Sequence, residues 1–323
     1  MKLFLHPLSA ISFWLVTPLL PAKLKRAHAR DIADFRPTDI TENYLLEVLP
    51  YLQRPIHVLV TSGRRNPKGQ FRFHRLPKSW ADMEFCLIAP GVYAPPPEAA
   101  FAAMGQYLTV AELVYLGGIL CGGFIFDPNR AMGITKRCPV TAPCDLKDFV
   151  EGHPGFRGVV GVRPALAQIQ AGAESPPEVF LRMALCLPRR YGGLAVAGAG
   201  ANWSYLPSDR ARAISGRGFV RPDLLFRNGS KVVAVEYDSD SVHLAREQAS
   251  RDESKRLALE ADGIKVISIR PTHLADPSYM KRVAGELERY LGLRGSVEPD
   301  DFYLRQEQLF RLDRRLTRFL PLA

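Results

Sequence analysis

The chain has no cysteine pair at CxxC spacing, and its five cysteines, Cys86, Cys121, Cys138, Cys144 and Cys186, form an odd set. Cys138 and Cys144 have no histidine at zinc-like spacing. These absences argue against a disulfide scaffold and a thiolate zinc site, and the thiols read as reduced residues of a cytoplasmic protein. No run reaches about 18 uninterrupted apolar residues, which argues against a membrane-spanning helix and a membrane partner. Leu3-Phe4-Leu5 and Phe13-Trp14-Leu15-Val16 have the apolarity of a secretion signal, but His6, Pro7 and Pro18 interrupt it. No small-x-small cleavage site precedes Lys23-Leu24-Lys25-Arg26 either. A Walker-type phosphate loop is missing, and Gly198-Ala199-Gly200 is too short for a dinucleotide fingerprint. There is no internal repeat and no long low-complexity tract.

What is present is positive charge. Lys and Arg number 43 against 33 Asp and Glu, for a net charge of +10, which favours nucleic acid or another polyanion as partner. A length of 323 residues accommodates two domains with real cores. The expected division is an α+β region over 1–170, the smaller unit, then an α/β domain over 171–295, then a basic amphipathic helix over 296–323. In the first region Ile56–Val60, Gln70–His74 and Glu84–Ile88 read as strands, with a hairpin tip between the first two. That loop carries Arg64, Arg65 and Lys68, suited to phosphate contact or to plain solvation. Glu98–Met104, Val110–Leu120 and Phe156–Gln170 read as helices. In the tail, Arg311, Arg314, Arg315 and Arg318 alternate with Leu309, Phe310, Leu312, Leu316 and Phe319, a helix that docks on its own protein or on a partner.

The most informative stretch is Arg221-Pro222-Asp223-Leu224-Leu225-Phe226, a short turn, and Val232-Val233-Ala234-Val235-Glu236-Tyr237-Asp238. Acidic residues end two otherwise apolar strands. Asn228-Gly229 as the two central residues of a type I′ turn would set Leu225 opposite Val232 and Asp223 opposite Ala234. Glu236 then lies on the face of Asp223, one diagonal step away at roughly 7–8 Å between Cα atoms. Two carboxylates so placed can share a hard cation, and Asp238 continues on the same face. Leu224, Phe226, Val233 and Val235 cover the other. Crowded acids repel unless a cation or basic group sits among them, which weighs against an ordinary strand end. Upstream, Ser175-Pro176-Pro177-Glu178 opens a helix through Leu187, with Ser175 and Glu178 placed as a capping box. Downstream, Leu244–Glu260 reads as a helix closed by Asp262-Gly263, and Ile264–Arg270 as a buried strand. His243 belongs to the loop before that helix, because nine residues of continuous helix would put it about 180° from Asp252.

Residues from about 174 to 292 resemble the very-short-patch-repair (Vsr) endonuclease-like branch of the PD-(D/E)XK nuclease superfamily. The resemblance rests on Ser175-Pro-Pro-Glu178, Arg221-Pro-Asp223, Glu236-Tyr-Asp-Ser-Asp240, His243, Arg251-Asp252 and Ala261-Asp-Gly263. It implies a restriction-endonuclease-like α/β/α domain with a mixed central sheet, and Mg²⁺- or Mn²⁺-dependent phosphodiester hydrolysis of nucleic acid, DNA being the expected substrate. Under that pattern Asp223 and Glu236 hold the metal, with the Tyr237 carbonyl completing its shell and Glu178 positioning it or a second ion. His243 serves as base or phosphate contact, Asp252 supports it, and Arg251, Lys255 and Arg256 face phosphate. The stretch from about 56 to 170 resembles the middle of AbiEi-like antitoxin proteins, which implies a partner from a toxin–antitoxin or defence system. The chain departs from the superfamily at one point: the lysine expected two residues after Glu236 is Asp238. The replacement leaves Lys231 or Lys255 to supply the cation, and it opens the alternative of a non-cleaving DNA-binding regulator.

Overall fold

The computed structural model describes residues 2–31, 41–61, 70–127, 129–130, 133–201, 203–216, 218–238 and 246–312, with side chains at 201 and 246–252 outside the description. The chain is mixed α/β and divides into two compact units, one reaching to Ser175 and the other Pro176–Leu312. The first is the larger, contrary to the expected smaller N-terminal region, because the apolar run near the start is part of its core.

The first unit contains β1 (Leu3–Leu5), α1 (Pro7–Val16), β2 (Arg26–His28), α2 (Glu42–Val48), β3 (Ile56–Val60), β4 (Phe71–Arg75), β5 (Glu84–Ala89) and β6 (Val92–Ala94). These are followed by α3 (Pro97–Met104), α4 (Val110–Leu120), β7 (Phe124–Phe126), β8 (Ile134–Lys136), α5 (Pro143–Gly152) and α6 (Val159–Leu166). Six strands form one sheet in the order β2-β5-β6-β1-β3-β4. The segment with the look of a secretion signal supplies an inner strand of this sheet and the buried helix beside it: Leu3, Leu5, Ile11, Trp14 and Leu15 are all fully buried. His6 caps α1 and Pro7 occupies its first turn, where a missing N–H costs nothing, so the residues that interrupt the apolar run start the helix.

Two expectations for this unit are corrected. β3 and β4 pair in parallel, so their connection is a crossover and not a hairpin tip; Arg64, Arg65 and Lys68 lie outside the described residues. The helix expected over 156–170 is confined to α6. Gly158 precedes it with φ +98, and a Cβ there would collide with the Ala102 carbonyl at the end of α3. Glycine is needed for that close approach, and it delays the helix start.

The second unit contains α7 (Pro176–Cys186), β9 (Ala199–Ala201), α8 (Asp209–Ser215), β10 (Leu224–Asn228), β11 (Lys231–Tyr237), α9 (Arg246–Ala261), β12 (Lys265–Ile269), α10 (Pro271–Leu274), α11 (Pro277–Leu291) and α12 (Phe302–Phe310). The sheet order is β12-β11-β10-β9, with β11 and β12 parallel and the other pairs antiparallel. One face carries Leu224, Phe226, Val233, Val235 and Ile269 against α7, α11 and Phe302 of α12. The opposite face carries Leu225, Ala234 and Val266 against Ala211 of α8 and Ala258 and Leu259 of α9. Period-two alternation thus feeds two helical layers at once. The expected terminal helix is represented here by α12, which docks on this unit through Phe302 and Phe310; residues 313–323 lie outside the description.

The hairpin is shifted by one residue from the expected turn. Asn228 pairs with Lys231, Phe226 with Val233 and Leu224 with Val235, leaving Gly229-Ser230 as the two-residue loop. Gly229 has φ +59 and Ser230 is not among the positive-φ residues, the pattern of a type II′ turn. Asn228 stays in the strand because its side-chain amide donates to the Leu291 carbonyl at 2.9 Å, at the end of α11. Moving the turn by one residue moves every partner by two, so side chains keep their faces.

Candidate metal centre at the β10–β11 strand ends

In the observed register, the pair beyond Leu224 and Val235 is Asp223 with Glu236. The two acids face each other directly, not diagonally, at the strand ends. Asp223 is half-buried, and its Oδ2 accepts the Tyr237 backbone N–H at 2.7 Å. This bond ties the start of one strand to the end of the other and fixes the Asp223 carboxylate. Tyr237 therefore reaches the site through its backbone while its side chain packs against the core of the other face.

Lys255 comes to the same place from α9. Ala258 and Leu259, three and four residues on, are fully buried against the sheet, and the helical period turns Lys255 toward the same layer. Its Nζ donates to Glu236 Oε2 at 2.7 Å, with the two side chains only 26% and 19% exposed. Glu236 Oε1 is buried and makes no close hydrogen bond, and the Asp223 backbone N–H faces the Glu236 carboxylate. A buried carboxylate oxygen beside a second carboxylate is costly. Burial first, then the charge of Asp223, push the Glu236 carboxyl up to about 7 against the opposing pull of Lys255. Two adjacent carboxylates offer hard oxygen donors of the kind that Mg²⁺ or Mn²⁺ takes.

The other expected site residues are distributed as follows. Asp238 is exposed, just past β11, and its backbone N–H donates to Ile269 at 2.9 Å. Glu178 is half-buried in the first turn of α7, in the helical layer that packs on the opposite face from Glu236. Arg256 is on the exposed side of α9 and pairs with Glu260 at 2.9 Å. Arg251 and Asp252 fall within α9, with side chains outside the description, and His243 lies outside the described residues. Lys231 begins β11 beside the turn, five residues from Glu236, or roughly 16 Å along a strand. Its ammonium sits 6.0 Å from the centroid of the Tyr290 ring, so of the two lysines named as substitutes only Lys255 reaches the acids.

No family model, curated protein or solved structure matches this chain. The site therefore stands on its own geometry.

Sequence reasoning did not find Ser268, which pairs with Glu236 on the adjacent strand and is exposed, placing a hydroxyl beside the acids. Nor did it assign a role to Asp262. That carboxylate accepts the Tyr205 hydroxyl and the Ser208 N–H, each at 2.9 Å, and also the Ser208 hydroxyl. It fastens the approach to α8 onto the end of α9. The Asp-Gly pair after a helix was the available signal, but the partners are more than fifty residues away in the chain.

Proposed function

We propose that this protein is a divalent-metal-dependent nucleic-acid endonuclease, with DNA as the expected substrate and a restriction-endonuclease-like second unit. The observation that carries the reading is the meeting of Asp223, Glu236 and Lys255, with the Glu236 carboxylate buried beside Asp223. The order α7-β9-α8-β10-β11-α9-β12 around a mixed sheet supports the same reading, as does the net charge of +10.

Asp223 and Glu236 would hold Mg²⁺ or Mn²⁺; when bound, such an ion polarises a phosphate and lowers the pKa of its water. Tyr237 keeps Asp223 in place through its N–H. Lys255 takes the role left open by Asp238: from a helix instead of the strand, it orients Glu236 and brings positive charge to where a phosphate would gain it. A purely DNA-binding protein gains nothing from half-buried carboxylates facing a polyanion, which weighs against the non-cleaving regulator.

The test is cleavage of supercoiled, linear and mismatched DNA, and of RNA, with Mg²⁺ or Mn²⁺, comparing wild type with Asp223→Asn and Glu236→Gln. Metal-dependent cleavage abolished in both variants is the expected result. Absence of cleavage with DNA binding intact in all three proteins would replace the proposal with the regulator.

A further inference from the structure

The first unit contains a second convergence of side chains, built from different chemistry. The antiparallel register Phe4↔Leu59 and Leu5↔Val58 continues to bring His6 opposite His57. The parallel register His57↔Arg72 and Leu59↔His74 puts His74 one diagonal step from His57. Three neighbouring strands thus contribute one imidazole each, and one ring nitrogen from each of His6, His57 and His74 lies within 4.8 Å of the others. His57 Nδ1 and His74 Nε2 are 2.7 Å apart.

The backbone beneath the cluster is fixed. His57 donates its N–H to Ser9 Oγ at 2.9 Å, and its carbonyl accepts the His6 N–H at 2.9 Å. His6 is buried while His57 and His74 are half-buried, so the cluster has a closed floor and an accessible side. Burial pushes all three imidazoles below their usual range, with neighbouring histidines adding to the effect at His6 and His57. They are neutral at pH 7, the form that ligates metal.

We propose that His6, His57 and His74 form a three-imidazole site for a borderline divalent transition ion, with Zn²⁺ as its representative. Nitrogen-only donors suit zinc, copper or nickel and not magnesium. A tetrahedral ion at about 2.0–2.1 Å from each nitrogen needs them roughly 3.3 Å apart. The ion therefore takes the place of the proton shared by His57 and His74, widens that contact by about half an ångström, and the displaced proton moves to the other nitrogen of its ring. His6 stacks on His74 with ring centroids 3.9 Å apart, and turning the His6 ring into the site, which gives up the 3.3 Å bond that its Nδ1 accepts from the Leu8 N–H at the start of α1, is the main rearrangement. Three ligands leave a fourth position, open on the half-buried side, for water or an exchangeable ligand.

The test uses the full chain, stripped with chelator and carrying Asp223→Asn and Glu236→Gln so that the carboxylate centre contributes no uptake. Titration with Co²⁺ is expected to give one equivalent with the strong visible bands of a tetrahedral nitrogen site, displaced by Zn²⁺ and unaffected by excess Mg²⁺. His57→Gln and His74→Gln are expected to abolish the bands while circular dichroism shows an intact fold. If either variant fails to fold, ¹⁵N spectra of the histidine rings in the folded parent decide: Zn²⁺ must shift all three. A folded parent with no bands and no ring shifts, or folded variants with unchanged uptake, would overturn the proposal.

Discussion

Glu236 is held between opposing influences, and the sign of the balance is testable. Its carboxyl is raised from 4.5 to about 7, so the folded protein binds this proton more tightly than the unfolded chain does. The metal-free fold is favoured by that proton below about pH 4.5, and the advantage is lost as pH rises through 7. Glu236→Gln should therefore raise the melting temperature of the metal-free protein at pH 8 and have little effect near pH 4.5. The gain should be no more than roughly 3 kcal/mol, the ceiling set by the size of the shift. Thermal melts of both proteins across that range check it. Protons and metal compete for the same oxygens, so metal-dependent protection should fade below about pH 7. At Lys255, replacement by Met should reduce cleavage by about 10²–10³-fold, the usual scale for removing one electrostatic contact to a transition state. Single-turnover rates at saturating metal would show it.

At the scale of elements, the β10–β11 hairpin shows what could and could not be read in advance. Alternation along the strands correctly separated Leu224, Phe226, Val233 and Val235 from the acid-bearing face, because burial on two sides imposes the period. The turn was misplaced by one residue because Asn-Gly is a strong local signal, and the opposing cause, the Asn228 bond to Leu291, is tertiary. The shared face survived because the error moved partners by two. Gly229 has φ +59 and open space around a would-be Cβ, so Gly229→Ala should cost about 1 kcal/mol through backbone strain alone. Chemical denaturation should register that loss with an unchanged slope. Asp262→Ala should cost about 1–2 kcal/mol by releasing three hydrogen bonds to a carboxylate. Hydrogen exchange should rise first in α8 and the end of α9.

For the whole molecule, the mixed α/β character was legible in pattern, and so was the run of hairpin, helix and strand formed by β10, β11, α9 and β12; β9 and α8, which stand between α7 and the hairpin, were not expected. What pattern reading missed was pairing between distant segments. β1 lies between β6 and β3, and no local feature of Leu3–Leu5 identifies those neighbours. The His6, His57 and His74 cluster was invisible for the same reason: each histidine is unremarkable until three strands align. The net charge of +10 predicts that nucleic-acid affinity falls linearly on a log–log plot against salt. Fluorescence anisotropy from low to physiological salt checks this, and a flat response would remove polyanion binding from the account.

The position of β1 also bears on the order in which the chain can fold. Phe4 is paired with Leu59 on one side and Tyr93 on the other, both emerging from the ribosome long after it. β1 must wait, its apolar side chains unpartnered, until β3 and then β6 have been synthesised. Non-local pairing of this kind slows folding and leaves apolar surface exposed meanwhile, so in a nascent chain β1 is a stretch that a chaperone would have to cover.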